Sequence, residues 1–339
     1  MQQSDGDLRS VLRIFSGGSH PKLAQEIADY LGCPVCPRTT GRYSNDNLFV
    51  RLEESVRGKD VVIIQSFVPG DGKVSLSDHI IEMLMMLDAA RSASARAIHA
   101  VIPYFSYARS DKKDEPRISI AGRLMADLLA TAGANHVMTM TLHSPQVHGF
   151  FSVPTDHLTA QQVFVKHFGC RDLSNTVVVA PDMGHAKRAM KLARSLGTPV
   201  AAADKERISD TEVRIGNIIG DVKGKDVIVL DDEIATGGSV IAVVERLQKQ
   251  GAKGITLAFT HGIFCGSAIE RLRGIPQIDE IVTTNTVPIP PEKRLPNMTV
   301  LSVGPIFGEA IRRNLLGQSV GALFAFWPEE RYIELSKEK

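Results

Sequence analysis

Residues 227–239 read VIVLDDEIATGGS. The apolar start suits a short buried strand. Two acids follow, then a polar turn, two glycines and a serine that opens an amphipathic run. Ligands of open α/β sheets bind beyond the carboxyl ends of the strands. Gly237 and Gly238 let the backbone curl closely around a ligand. A helix starting near Ser239 aims free N–H groups and partial positive charge at it. Thr236 and Ser239 add hydroxyls, with Ala235 between the turn and the acids. The stretch reads as a phosphate cradle. Asp231 and Asp232 repel phosphate, so they suit sugar hydroxyls, or a Mg²⁺ bridging sugar and phosphate.

Working outward, the chain repeats itself. Residues 222–232, VKGKDVIVLDD, match residues 56–66, VRGKDVVIIQS, at a shift of 166. Residues 184–200, GHAKRAMKLARSLGTPV, match 19–35, SHPKLAQEIADYLGCPV, at a shift of 165, pairing His185 with His20 and Val200 with Val35. Residues 94–105 and 251–262 share a small-basic-apolar rhythm. A near-constant shift over several segments indicates duplication rather than a chance likeness of two βαβ units. Strands are expected at 12–15, 61–65, 98–102, 137–140, 177–180, 227–230, 255–259 and 280–284. Helices are expected at 21–31, 77–93, 120–132, 186–196 and 239–250, with Gly32, Gly133, Gly197 and Gly251 just past their ends. Alternating strands and helices predict an α/β fold: two tandem duplicated domains, each a central parallel sheet flanked by helices. The expected domains are 10–157, completed by a C-terminal segment at about 306–326, and 158–305, with the join near 154–158. The halves differ where it matters. Gln65-Ser66 stands in the first copy where Asp231-Asp232 stands in the second, so only the second keeps the acidic site.

Composition narrows the function classes. The 39 basic and 38 acidic residues leave a net charge of +1, so no broad field points to nucleic acid or to an anionic membrane. Four cysteines in 339 residues are no disulfide scaffold, and Cys33-Pro-Val-Cys36 has neither a second CxxC nor a counterpart in the other copy. The start of the chain lacks a signal-peptide core. The longest apolar runs fall far short of the ~20 residues that span a bilayer. A cytoplasmic location is expected.

The 227–239 stretch resembles the phosphoribosyl-diphosphate loop of the type I phosphoribosyltransferase fold. The whole chain resembles one branch of that fold, the ribose-phosphate diphosphokinases. The resemblance runs through FSGGSH from Phe15, RYSNDN from Arg42, YARSDKKD from Tyr107, TLHSPQVHGFF from Thr141, DMGHAKRA from Asp182, KER from Lys205 and THGIF from Thr260. It implies transfer of the diphosphoryl group of ATP to O1 of ribose 5-phosphate with Mg²⁺, releasing AMP, by a homo-oligomer that is usually a hexamer. Ribose 5-phosphate would sit on Asp231, Asp232, Ala235, Thr236, Gly237, Gly238, Ser239 and Arg207.

The remaining candidates each carry a bland reading. Arg109, Lys112 and Lys113 form a basic loop that could grip a triphosphate, with Tyr104, Phe105 or Tyr107 against a base; such runs are commonly just solvated. The resemblance places Arg109 and Ser110 at ATP. It also implies that Asn45, Asp46 and Asn47 reach ATP from a neighbouring subunit, where the residues alone suggest a turn with local hydrogen bonds. His143 alone reads as a hydrogen-bonded structural histidine; the resemblance makes it a Mg-ATP contact and makes Asp182 a second metal position. Lys205 and Arg207 lie in a polar stretch without periodicity, read as a surface loop. The resemblance makes that loop a catalytic lid whose two cations close on the transferring phosphate, as phosphoryl-type chemistry requires. Thr141, Ser152, Ala235 and Asn47 replace acids frequent in the family. Those losses motivate an alternative, a non-catalytic paralogue that regulates synthetase assemblies; a base-using phosphoribosyltransferase is the other, and leaves the duplication unexplained.

Overall fold

A computed structural model describes residues 5–70, 72, 74–207 and 213–324. In chain order, the first unit contains α1 (Asp5–Val11), β1 (Leu12–Ser16), α2 (Pro21–Leu31), a hairpin of β2 (Arg38–Arg42) and β3 (Leu48–Leu52), β4 (Asp60–Ile64), α3 (Leu76–Ser92), β5 (Ala97–Ile102), α4 (Ala121–Ala132), β6 (His136–Met140) and β7 (Thr155–Leu158). The second contains α5 (Gln161–Phe168), β8 (Thr176–Ala180), α6 (Ala186–Leu196), β9 (Val200–Arg207), β10 (Val213–Ile219), β11 (Asp226–Ile234), α7 (Gly238–Lys249), β12 (Gly254–Gly262), α8 (Ala268–Arg273), β13 (Ile278–Thr284) and β14 (Met298–Leu301). Residues 286–288 and 303–324, including α9 (Gly304–Leu315), belong to the first unit.

The duplication is visible in the topology. The first unit's parallel sheet runs β1-β4-β5-β6-β7. The second repeats the order as β8-β11-β12-β13-β14 and extends it past β8 with β9 and β10. Central strands such as β4 and β8 are buried along their whole length, as parallel strands covered on both faces must be. The expected glycine caps form: Gly32 and Gly197 end α2 and α6 at φ +63° and +67°, a region nearly closed to side chains with a Cβ.

The hairpins are the main departure from the sequence expectation. No strand was expected near Lys205 and Arg207, yet their backbone completes β9, with Ile215 opposite Lys205 and Val213 opposite Arg207. A two-stranded ladder is carried by backbone hydrogen bonds, so it needs no long apolar run. Among its described side chains, Ala201 and Ala203 of β9, on alternate positions, and Ile218 of β10 are buried beneath it. The expected lid tip at 208–212 lies outside the described residues. The first unit gives way to the second between Thr159 and Ala160, next to the expected join, and the residues just before it, Thr155–Leu158, supply the edge strand β7, whose sequence TDHL has no apolar run to betray it.

The equivalent hairpin in the first unit leaves its sheet. Val35 makes a single parallel bridge to Ile14, whereas Val200, Ala201 and Ala202 pair with three successive residues of β8. Pro37 stands at the position of Ala202 and has no N–H to continue the ladder. β2 and β3 therefore pair only with each other.

α9 packs against α2. Gly308 makes room for Tyr30; a Cβ there would lie 2.5 Å from the ring. The Tyr30 hydroxyl donates to Glu309 Oε2 at 2.8 Å, and Arg312 and Arg313 hold the same carboxylate at 2.9 and 2.7 Å. Hydrogen bonding to Arg312, against opposition from burial, carries Glu309 down to a pKa of about 2. Asn314, at the end of α9, reaches His136 Nε2 and Asp156 Oδ2, both at 3.2 Å.

Beside that contact, His99 is buried in β5 with no described partner for Nδ1 and its ring 5.5 Å from that of His136. Burial, then the neighbouring His136, push its pKa down to about 4. The unfolded chain takes up this proton near pH 6.5, the folded chain only near 4. Stability is therefore intact above pH 6.5 and is lost as pH falls toward 4, by about 3 kcal/mol from this group. Replacing His99 with Leu should flatten the thermal-unfolding midpoint between pH 6.5 and 4 relative to the parent. Parallel curves would count against this account.

Candidate active site

In the second unit, β11 does not stop at residue 230 as expected. It pairs with β12 as far as Ile234–Gly262, whereas its ladder to β8 ends at Val229–Val179. Asp231, Asp232 and Glu233 are thus strand residues that have outrun β8. The continued β12 ladder is the physical reason for the longer strand. The space left beyond β8 takes the turn that follows it. There Asp182 caps a 3₁₀ turn, accepting from the His185 backbone N–H at 3.0 Å and lying 2.8 Å from His185 Nδ1. His185 Nε2 faces Asp231 Oδ1 at 3.4 Å and Asp232 Oδ1 at 3.5 Å. One turn along α6, Arg188 Nη1 lies 3.5 Å from Asp232 Oδ2.

Three carboxylates therefore converge on one imidazole. Burial alone would lower the pKa of His185, but its bonds to Asp182 and Asp232 and the nearby acidic charges raise it to about 10. It is an imidazolium at neutral pH. Asp231 is raised to about 7, first by burial and then by the adjacent Asp232 charge, against the pull of His185. Asp182 was an expected site residue; His185 and Arg188 were not. The available signal was the Asp-x-x-His spacing in DMGHAKRA, which puts a capping acid and the first helical histidine side by side.

Past Ile234 the chain turns through Ala235 and Thr236 to Gly237, which caps α7 at φ +79°, ψ −6°. The turn is pinned by Cys265, whose N–H donates to the Ala235 carbonyl at 2.8 Å. Gly237 is required by its left-handed backbone. Gly238 is different: a Cβ there would meet only Arg271 Nη1, at 4.0 Å. The unit's own packing leaves open space over the first turn of α7, where Ser239 also lies.

The first unit differs in the loop that matches the Asp182 turn, where Gly17 stands at the position of Asp182 and Gly18 at that of Met183. Gln65 Oε1 accepts from the Ser19 N–H and hydroxyl at 2.9 and 2.8 Å. It sits 2.1 Å from where a Cβ on Gly17 would be. The buried Glu82 carboxylate accepts from Gly18 N–H at 2.8 Å and Gln65 Nε2 at 2.6 Å, and pairs with Arg38 at 2.9 Å. An internal carboxylate thus takes the backbone N–H of Gly18 in the loop after β1.

The expected nucleotide residues lie in the same unit. Arg109 is exposed at the end of a 3₁₀ turn, Ser106–Arg109. The Ser110 hydroxyl accepts from Ala121 N–H at 3.1 Å and donates to the Ser119 carbonyl at 3.2 Å, starting α4. Tyr104 and Phe105 are buried, and Phe105 packs on Phe67 and Phe151, each at 5.7 Å. Those two rings belong to the core, which corrects the suggestion that they face a base. Asn45 Oδ1 accepts from Asn47 N–H at 3.3 Å, forming the expected turn at the hairpin tip. Before His143, Thr141 takes φ +44°, a costly conformation for a β-branched residue. Its N–H donates to the Leu158 carbonyl at 2.9 Å.

Comparison with known proteins decides the family. Residues 12–133 match the N-terminal domain of ribose phosphate pyrophosphokinase, and residues 211–325 match a phosphoribosyl synthetase-associated domain. A ribose-phosphate pyrophosphokinase of Deinococcus radiodurans is 51% identical over 321 residues, covering 93% of this chain and 98% of that protein. One from Clostridium acetobutylicum is 45% identical, covering 92% and 97%. This chain belongs to the ribose-phosphate pyrophosphokinase family. The crystal structure of phosphoribosylpyrophosphate synthetase from Mycobacterium smegmatis superposes with a TM-score of 0.83 at 40% identity, covering 90% of this chain and 99% of that one. The pyrophosphokinase fold of two phosphoribosyltransferase-like sheets agrees with the expectation from the repeat. No helix among the described residues is long and apolar enough to cross a membrane.

The second unit offers hard carboxylate oxygens of the kind that suit Mg²⁺. Asp182 and the Asp231–Asp232 pair meet opposite nitrogens of the His185 ring, so a cation would meet the acids on one side of the ring or the other rather than all three together. Replacing His185 with Gln removes the internal cation and should lower stability by about 3 kcal/mol. Millimolar MgCl₂ should then raise the thermal midpoint of the variant more than that of the parent. Equal shifts in the two proteins would show that the carboxylates do not take the metal.

Proposed function

We propose that this chain transfers the diphosphoryl group of ATP to O1 of ribose 5-phosphate, giving 5-phosphoribosyl 1-diphosphate and AMP for nucleotide biosynthesis. The observation that carries the residue assignment is the overhang of β11. It delivers Asp231 and Asp232 beyond β8 and leads directly into the glycine turn of α7. The 5-phosphate is assigned to the α7 N-terminus, on Ala235, Thr236, Gly237, Gly238 and Ser239, where backbone N–H groups and the helix dipole favour an anion. Asp231 and Asp232 accept from the ribose hydroxyls and so orient O1. The open space over Gly238 supports close approach of a phosphate.

O1 attacks the β-phosphorus in line. The new O1–Pβ bond forms as the bond from Pβ to the oxygen bridging the α-phosphate breaks. AMP leaves with that oxygen, and O1 loses its proton. Mg²⁺, when bound, neutralises polyphosphate charge; Asp182 is assigned to one metal position and His143 to Mg-ATP. Arg109, Ser110 and the segment Asn45, Asp46 and Asn47 are assigned to ATP. Ser110 does so while its hydroxyl accepts from Ala121 N–H at the start of α4. Lys205 and Arg207, on the strand leading to the β9–β10 tip, are assigned to charge stabilisation in the transition state, with Arg207 also meeting ribose 5-phosphate. A cationic arm that closes during transfer excludes water and limits ATP hydrolysis. The chain acts in the cytoplasm as a homo-oligomer, a hexamer by the family's habit.

Purified protein incubated with Mg-ATP and ribose 5-phosphate should form AMP and 5-phosphoribosyl 1-diphosphate in equal amounts. No product with any divalent metal would favour the regulatory paralogue. Replacing Lys205 with Ala should lower kcat roughly a hundredfold or more with a small change in KM for ATP; an unchanged kcat would remove Lys205 from the chemistry. Gly238→Ala should leave the thermal midpoint unchanged or higher, because Ala favours a helix, yet raise KM for ribose 5-phosphate about tenfold. An unchanged KM would move the phosphate elsewhere.

A further inference from the structure

Once Pro37 has ended the bridge to β1, the β2–β3 hairpin is a two-stranded ribbon, and such ribbons are marginal unless anchored. Its anchor is an apolar contact, Val50 and Leu52 of β3 against the core, joined by a polar seam. Arg38, Thr40 and Arg42 are two residues apart and leave β2 on one face. Asp78 and Glu82 are four apart and share one face of α3. The pairs match in order. Arg38 Nη1 meets Glu82 Oε1 at 2.9 Å, the Thr40 hydroxyl donates to Glu82 Oε1 at 3.1 Å, and Arg42 Nη2 meets Asp78 Oδ1 at 2.7 Å. The Arg38 end is buried; the Arg42 end is half-buried.

Arg42 also reaches the tip. Its Nη1 donates to both the carbonyl and a carboxylate oxygen of Asp46, each at 2.9 Å. Asp46 sits at φ +68°, a region that costs a non-glycine residue roughly 1–2 kcal/mol. Asp78 is itself fixed. Its Oδ2 accepts from the Ser75 N–H at 2.8 Å and the Ser75 hydroxyl at 2.9 Å, completing the capping box of α3. One guanidinium therefore ties the turn at 45–47 to the start of a 17-residue helix.

We propose that Arg42 and Asp78 are positioning residues for nucleotide binding, holding the tip of the β2–β3 hairpin in the conformation that receives ATP. The proposal rests on the assignment of residues 45–47 to ATP. Neither residue is needed as a ligand. An ion pair at this exposure adds little to overall stability; what it supplies is an ordered tip before the nucleotide arrives, which lowers the cost of binding. Lys cannot replace Arg42 fully, because one ammonium lacks the planar fork that meets Asp78 and Asp46 together.

The test measures kcat, both KM values and the thermal midpoint for Arg42→Met, Arg42→Lys and Asp78→Asn. Asn45→Ala and Asn47→Ala are run beside them. The expected result is a five- to tenfold rise in KM for ATP in Arg42→Met and Asp78→Asn. KM for ribose 5-phosphate should stay within twofold and the midpoint within a few degrees, with Arg42→Lys in between. If the Asn variants raise KM for ATP but Arg42→Met and Asp78→Asn do not, positioning is wrong and the ATP assignment stands. If the Asn variants also leave KM for ATP unchanged, the assignment of 45–47 fails and takes the proposal with it. A rise in both KM values together with a large fall in midpoint for both Arg42→Met and Asp78→Asn would make the seam a general structural element and overturn the proposal.

Discussion

A parallel strand that outruns its neighbour keeps one hydrogen-bonded ladder and loses the other. In the second unit that one-sided overhang is β11 beyond β8, and the candidate site depends on it. The surviving ladder to β12 holds Asp231 and Asp232 rigid. The lost ladder leaves room for the Asp182 turn and His185 to face them. Three carboxylates could not be packed this closely without a cation, and the imidazolium of His185 supplies one from within the fold. The same strand sets the entry to α7, so sugar-facing acids and phosphate-facing amides share one rigid element.

The first unit follows the same backbone plan with the opposite outcome. Gln65 stands where Asp231 stands, and the Glu82 carboxylate takes the N–H of Gly18. The loop that matches the Asp182 turn is satisfied by the chain itself, with Arg38 balancing the charge. Two copies of one topology thus differ at this loop: in one Asp182 and His185 face the strand acids, in the other Gln65 fills the space beside Gly17.

What could be read from the sequence follows from burial. The core strands are continuous apolar runs, so β1, β4, β5, β6, β8, β11, β12 and β13 were all expected, and the cradle at 235–239 was marked by its glycines. The hairpins β2–β3 and β9–β10 and the edge strands β7 and β14 are not legible as continuous apolar runs, because each buries, wholly or in part, only one or a few alternate residues, such as Val50 and Leu52 in β3 or Met298 and Val300 in β14. Tyr104 and Phe105 looked like base-stacking rings because they adjoin a basic loop; the fold buries them, since they follow β5 directly into the core. His185 is marked in the sequence only as the repeat partner of His20, because its role needs Asp231 from a strand more than forty residues away.

At the shift of 165 residues, the turn at 43–47 corresponds to 208–212, so the two hairpins are copies of one ancestral arm. One is stitched to its sheet through the β8–β9 ladder; the other, cut loose at Pro37, is held by Arg38–Glu82 and Arg42–Asp78. Backbone hydrogen bonds respond little to added salt, whereas the half-buried outer ion pair is open to screening. The detached arm therefore carries one contact open to ionic strength, the clamp of Arg42 on Asp78, that a backbone ladder does not share.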